Sequence, residues 1–115
     1  MHELSVTKGL LSTVLETAEK EKIKKINSIS ISIGEFYDYV PEIIQEYFDS
    51  LSEGTVASGA KIDASIIPIR IYCSRCNQEY EGRQSALRCV QCGCKDIKLL
   101  KGKEFFIETL EVDEN

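Results

Sequence analysis

Histidine is nearly absent from this chain: one imidazole, at position 2, serves all 115 residues. Acid–base chemistry would have to rest on that terminal residue or on carboxylates, and no nucleophile–base pair is apparent, so an enzymatic reading has little support. Long apolar runs are missing as well, which excludes a membrane-spanning helix. The start Met1-His2-Glu3-Leu4 has neither the basic flank nor the apolar stretch of an export signal. No internal repeat and no low-complexity segment is present. The expected setting is therefore the reducing cytoplasm, where cysteines persist as thiols or metal ligands.

Charge is unevenly spread, and it changes sign where the cysteines are dense. The net charge is −5, yet residues 73–103 hold seven basic side chains against three acidic, giving +4, while the remainder holds seven against sixteen, giving −9. An acidic body argues against broad nucleic-acid binding. The basic segment is then a solvated surface, or a place that touches phosphate or an acidic protein.

Four of the five cysteines form two pairs, Cys73-Ser-Arg-Cys76 and Cys89-Val-Gln-Cys92. A tetrahedral zinc ion needs four soft ligands, and each Cys-x-x-Cys turn presents two thiolates at the right reach. Polar and flexible residues between the pairs (Asn77, Gln78, Gly82, Arg83, Gln84, Ser85) suit a zinc ribbon. Disulfides fit the metal-type spacing poorly, and neither pair opens a helix after a hydrophobic strand as a thioredoxin-like motif would. Four thiolates saturate the ion, so this zinc is structural and the function lies elsewhere. Cys94 is a spare thiol, read as a small side chain of no special role.

Residues 3–22 carry Leu4, Leu11, Val14, Leu15 and Ala18 at helical spacing, with Thr7 and Leu10 beside them, and predict an amphipathic helix. Ser28-Ile29-Ser30-Ile31-Ser32-Ile33 alternates strictly, predicting a strand with one buried isoleucine face that ends at Gly34. Pro41 suits the first turn of a second helix with Ile43, Ile44, Tyr47, Phe48 and Leu51 as its stripe and Gly54 past its end. A turn at Glu35 and Asp38 would cap that helix. Residues 61–71 predict a strand bent near Pro68, where the parity of its isoleucines changes. Residues 103–112 predict a third strand, paired antiparallel with 61–71. The expected fold is α+β: two helices on one face of a three-stranded mixed sheet, with an inserted four-cysteine zinc-ribbon module. The expected division is a body of 1–72 and 101–115 and a ribbon of 73–100.

The N-terminus offers a second metal site. A free α-amine, the following amide and the His2 imidazole can chelate one ion through fused rings, and nitrogen donors in near-planar geometry favour Ni(II) or Cu(II). Glu3 adds a carboxylate, as a further ligand or as an acceptor for the imidazole N–H.

Together the Met1-His2-Glu3 start, a helix, a strand ending Ile33-Gly34-Glu35, a helix after Pro41 and the two cysteine pairs resemble the HypA family of nickel chaperones. The resemblance covers essentially the whole chain. It implies nickel held by Met1 and His2 and tuned by Glu3, with structural zinc on Cys73, Cys76, Cys89 and Cys92. It also implies transient partners in [NiFe] hydrogenase maturation: the nickel GTPase HypB and the hydrogenase large subunit. A homodimer is compatible with it. Two positions depart from many relatives. Val40 stands where an acidic residue precedes the proline, so Glu35 or Asp38 would have to replace it near nickel. Asn77 and Gly93 stand where some relatives place a histidine after a cysteine pair. The competing reading from another class is a nucleic-acid-binding ribbon using Arg75, Arg83, Arg88 and Tyr80.

Overall fold

The computed structural model describes residues 2–81, 88, 89 and 91–113, and for His2 the backbone alone. The chain runs α1 (His2–Lys20), β1 (Lys25–Gly34), a 3-10 helix (Glu35–Tyr37), α2 (Pro41–Leu51), β2 (Lys61–Ile67), β3 (Arg70–Cys73), β4 (Gln78–Glu81), β5 (Ile97–Lys101) and β6 (Phe105–Asp113). One three-stranded sheet has the order β2-β1-β6 and a second the order β4-β3-β5. The α+β arrangement expected from the sequence is the one observed, with two helices, a mixed sheet and a four-cysteine module. The chain divides into two compact units, Met1–Ile31 with Tyr39–Ala64 and Ile107–Asn115, and Ser32–Asp38 with Ser65–Phe106.

In the first unit α1 packs against α2. Leu10, Leu11, Val14 and Ala18 are buried on α1, Ile44 and Phe48 on α2, and Ile26, Ile29 and Ile31 on β1. All but Ile26 are apolar positions of the helical and alternating patterns. Thr7 is fully buried among them, and its hydroxyl donates to the Glu3 carbonyl at 2.5 Å, which removes the cost of an unpaired buried donor. The helix ends at Lys20, two residues earlier than the periodicity suggests. Ile23 N–H bonds the Ala18 carbonyl at 2.8 Å and Lys22 takes φ +55°, forming a Schellman stop with lysine where glycine is usual.

Gln45 fastens α2 to the start of β2. Its carbonyl accepts the Ile62 N–H at 2.7 Å, and its amide donates to the Ala60 carbonyl at 3.2 Å and to Asp49 at 2.8 Å. Gln45→Ala is expected to lower stability by about 1–2 kcal/mol, since two backbone groups lose partners at a half-buried site. A denaturant midpoint shift without a change in slope would measure it.

Two expectations fail in instructive ways. Residues 61–71 are two strands, not one bent strand, because Pro68 has no N–H to give a ladder and its ring disfavours the preceding turn. The pieces join different sheets. The last strand, β6, pairs with β1 rather than with β2. β1 carries the most buried residues of the three, and a central strand must have both rows of backbone groups paired. β2 and β6 are the half-exposed edges. The cysteine segment therefore leaves no β2–β6 hairpin. It builds its own sheet from Arg70 to Lys101.

The second unit is held at a point where two backbones touch. Gly34 N–H bonds the Glu104 carbonyl at 2.5 Å, and Phe36 N–H bonds the Gly102 carbonyl at 2.9 Å. Among the described residues, Ile33, Ile69, Ile71, Cys73 and Cys89 are its buried apolar side chains.

Candidate metal centre

Both cysteine pairs sit in turns of one design. In Cys73-Ser-Arg-Cys76 the Asn77 N–H returns to the Cys73 carbonyl at 2.7 Å; in the second pair the Gly93 N–H returns to the Cys89 carbonyl at 2.9 Å. The residue after each second cysteine is left-handed, Asn77 at φ +56° and Gly93 at φ +71°. Asparagine and glycine adopt that conformation at the lowest cost, which accounts for the residues found there. β3 delivers Cys73, and its antiparallel pairing sets Cys73 opposite Gln78 of β4 and Ile97 of β5.

The turns bring the four sulfurs within 4.8 Å of one another. Cys73 Sγ lies 3.7 Å from Cys92 Sγ, and Cys76 Sγ lies 3.7 Å from Cys89 Sγ. Sulfurs at the corners of a tetrahedron with bonds of about 2.3 Å are separated by about 3.8 Å, so the cluster fits a zinc ion. Burial falls from Cys73 and Cys89 to an exposed Cys92. Cys94 is not part of the cluster; its sulfur accepts the Asp96 N–H at 3.3 Å.

Backbone dipoles prepare the sulfurs unequally. Burial alone would raise the Cys89 thiol, but the Cys92 and Gln91 N–H groups, at 3.5 and 3.4 Å from its sulfur, bring it down to about 6. Cys76 is pushed up to about 12 by the Cys92 and Cys89 sulfurs beside it. Four adjacent thiolates repel one another, so complete ionisation needs a dication at the centre. Tyr80 of β4 closes one side, its hydroxyl donating to Gln91 Oε1 at 2.6 Å. Desolvation and the Cys76 and Cys89 sulfurs push this phenol up to about 12, so it remains a donor.

The nickel candidates are placed differently. Met1 and the His2 side chain lie outside the described residues, as do Gly82, Arg83, Gln84 and Ser85 of the inter-pair loop. Glu3 occupies the first turn of α1, and its Oε2 accepts the Val40 N–H at 3.1 Å. Val40 is the N-cap of α2 and has no side chain able to cap. Glu3 therefore supplies the anionic cap from another helix, and that bond holds its carboxyl below the ordinary range. Capping of α2 by Glu35 or Asp38 is thus overturned. Glu35 accepts the Ile69 N–H at 3.1 Å, and Asp38 ends the 3-10 helix at φ +57°. The position before Pro41 does lie beside Glu3, through its backbone.

Comparison with known proteins agrees across the chain. The family model for "Hydrogenase/urease nickel incorporation, metallochaperone, hypA" matches residues 1–112. The hydrogenase maturation factor HypA of Caldanaerobacter subterraneus subsp. tengcongensis is 40% identical over 98% of this chain and 100% of its own length. That of Dehalococcoides mccartyi is 40% identical over 99% and 96%. In solved structures the fold resembles the nickel metallochaperone HypA of Helicobacter pylori, with a TM-score of 0.67 at 23% identity over 96% of each chain.

Proposed function

The chain belongs to the HypA family of hydrogenase/urease nickel-incorporation metallochaperones, which are not enzymes, and from that premise we propose that it carries Ni(II) at its own N-terminus. The ligands in this reading are the Met1 amine, the His2 amide and the His2 imidazole. Glu3 is the neighbouring carboxylate that tunes the site. The four-cysteine centre holds structural zinc and does not exchange it with the cargo. Nickel is supplied by the GTPase HypB and received by the [NiFe] hydrogenase large subunit, in the cytoplasm.

The observation that carries the reading is the anchoring of Glu3. The Val40 N–H fixes its carboxylate as an anion in the first turn of α1, one residue from the chain's only imidazole. A saturated four-thiolate centre cannot take and surrender a cargo ion without losing its fold. A chelate of terminal amine, amide and imidazole is nitrogen-rich and incomplete, which suits nickel and permits transfer.

Calorimetric nickel titration of the protein with its native N-terminus tests this. His2→Ala, acetylation of the amine and a tag before Met1 should each abolish tight nickel binding while zinc content stays constant. Glu3→Gln should weaken it more mildly, since one replaceable acceptor is lost. Acidification through the imidazole pKa of about 6.5 should weaken binding in the wild type. Undiminished affinity in His2→Ala would defeat the reading and bring the nucleic-acid ribbon forward.

A further inference from the structure

The β5 edge carries features that neither the zinc centre nor a terminal nickel site uses. β5 pairs with β3 alone among the described residues. The register places Ile71 opposite Leu99 and Arg70 opposite Lys101, so two steps on β5 meet one step on β3. Leu100 is the residue left over, a bulge in an edge strand, and it is 42% exposed. A pocket of about 210 Å³ opens beside it, lined by Leu99, Leu100, Lys101, Lys103 and Glu104. That volume admits one or two apolar side chains.

Positive charge surrounds this spot. Lys95, Lys98, Lys101 and Lys103 are all exposed, with Asp96 the one acidic residue between them in sequence, and the Glu104 carboxylate that follows feels the Lys101 charge. Among the described residues they form no ion pair, whereas the acidic side chain of Glu79 on β4 is 3.8 Å from Arg70 on β3. Lys103 is partly positioned, its ammonium 4.9 Å from the centre of the Phe36 ring. Glu104, on the pocket wall, spends its Oε1 on the Gly102 N–H at 2.7 Å. Lysines on an edge strand can serve merely to repel other strands. That role explains neither an outward leucine nor a pocket next to it.

We infer that the Leu100 bulge is a docking point for an acidic, extended segment of a partner protein. One apolar side chain of that segment enters the pocket beside Leu99 and Leu100, and its carboxylates lie among Lys98, Lys101 and Lys103. Desolvating one apolar anchor inside a charged rim is the usual anatomy of a small recognition site. Nucleic acid fits less well, because β5 offers no aromatic platform for a base.

The test is a titration of the full, metal-loaded, isotopically labelled protein with a blocked peptide, Glu-Glu-Glu-Leu-Glu-Glu-Glu, followed by amide shifts. Shifts should cluster at Ile97–Lys103 and weaken between about 0.05 and 0.5 M salt. Lys98→Glu with Lys101→Glu should weaken binding at least about tenfold, with metal content unchanged. A peptide with glycine for its leucine should bind several-fold more weakly, a comparison that leaves the protein untouched. Shifts centred elsewhere, equal binding of the glycine peptide, or unchanged affinity in the lysine variants would overturn the inference. So would stronger binding of an oligothymidine at the same residues.

Discussion

Cys73→Ala is expected to empty the four-sulfur centre and to unfold the β4-β3-β5 sheet while the first unit keeps its structure. Cys73 is fully buried at the end of β3, so its loss removes a thiolate from a saturated shell. The sheet around it has few apolar side chains: β4 is Gln-Glu-Tyr-Glu, and among the described residues of this part of the chain Ile69 and Ile71 alone join Cys73 and Cys89 in the buried set. With zinc bound as proposed, the metal would fold a module that small, since structural zinc in small modules binds with about 10–16 kcal/mol of apparent free energy. Zinc content should fall, and hydrogen exchange at Arg70–Cys73 and Ile97–Lys101 should become fast, while Leu10–Ala18 and Ile44–Phe48 stay protected. Cys94→Ala, outside the cluster, should keep full zinc. Retained zinc in Cys73→Ala would refute the ligand assignment, and uniform loss of protection would show a single cooperative core.

Gly34→Ala should be the most damaging substitution away from the cysteines, costing about 3 kcal/mol or more. A Cβ at Gly34 would stand 2.1 Å from the Gly102 oxygen, 2.3 Å from its carbonyl carbon and 2.7 Å from the Lys103 nitrogen. All three are backbone atoms, so no side chain can swing aside, and overpacking costs of 1–3 kcal/mol set roughly the lower bound. Relief would require separating strands joined by the Gly34–Glu104 and Phe36–Gly102 hydrogen bonds. Gly9→Ala is the control. Nothing lies within 4 Å of its added methyl, and an exposed helical glycine replaced by alanine should gain about 0.5–1 kcal/mol. Paired thermal melts decide it: a Gly34→Ala midpoint near wild type would mean the two backbones are not in contact.

The helices, the isoleucine strand and the cysteine cluster were legible because each is written locally. Leu10, Val14 and Ala18 recur at the helical period, Ile29, Ile31 and Ile33 at the strand period, and a Cys-x-x-Cys turn needs only its own four residues. What was hidden depends on distant neighbours. Gly34 reads as the end of a strand, yet its purpose is an approach to Gly102 that no local pattern encodes. Glu3 reads as a ligand candidate, and its role as cap for α2 depends on a residue 37 positions away. β4 and β5 lack a clean alternation, being fixed by pairing to β3 rather than by burial. Lys22 stops α1 without the glycine that would have announced it. The central place of β1 was not legible, since the expected hairpin pairs 103–112 with 61–71; it follows from the need of the most buried strand to have both rows of backbone groups paired.

The bulge at Leu100 also bears on how this protein behaves when crowded. Cross-β growth requires an unbroken row of free amides and carbonyls along which an identical strand can add. β5 offers only Ile97–Leu99 before the extra residue breaks the row. A second β5 laid alongside would also bring lysine against lysine at Lys98 and Lys101. Fibril seeding through this edge is thus blocked twice, by geometry and by charge. The double glutamate variant exchanges lysine–lysine for glutamate–glutamate repulsion and keeps the bulge, so both barriers persist and it should remain monodisperse at high concentration.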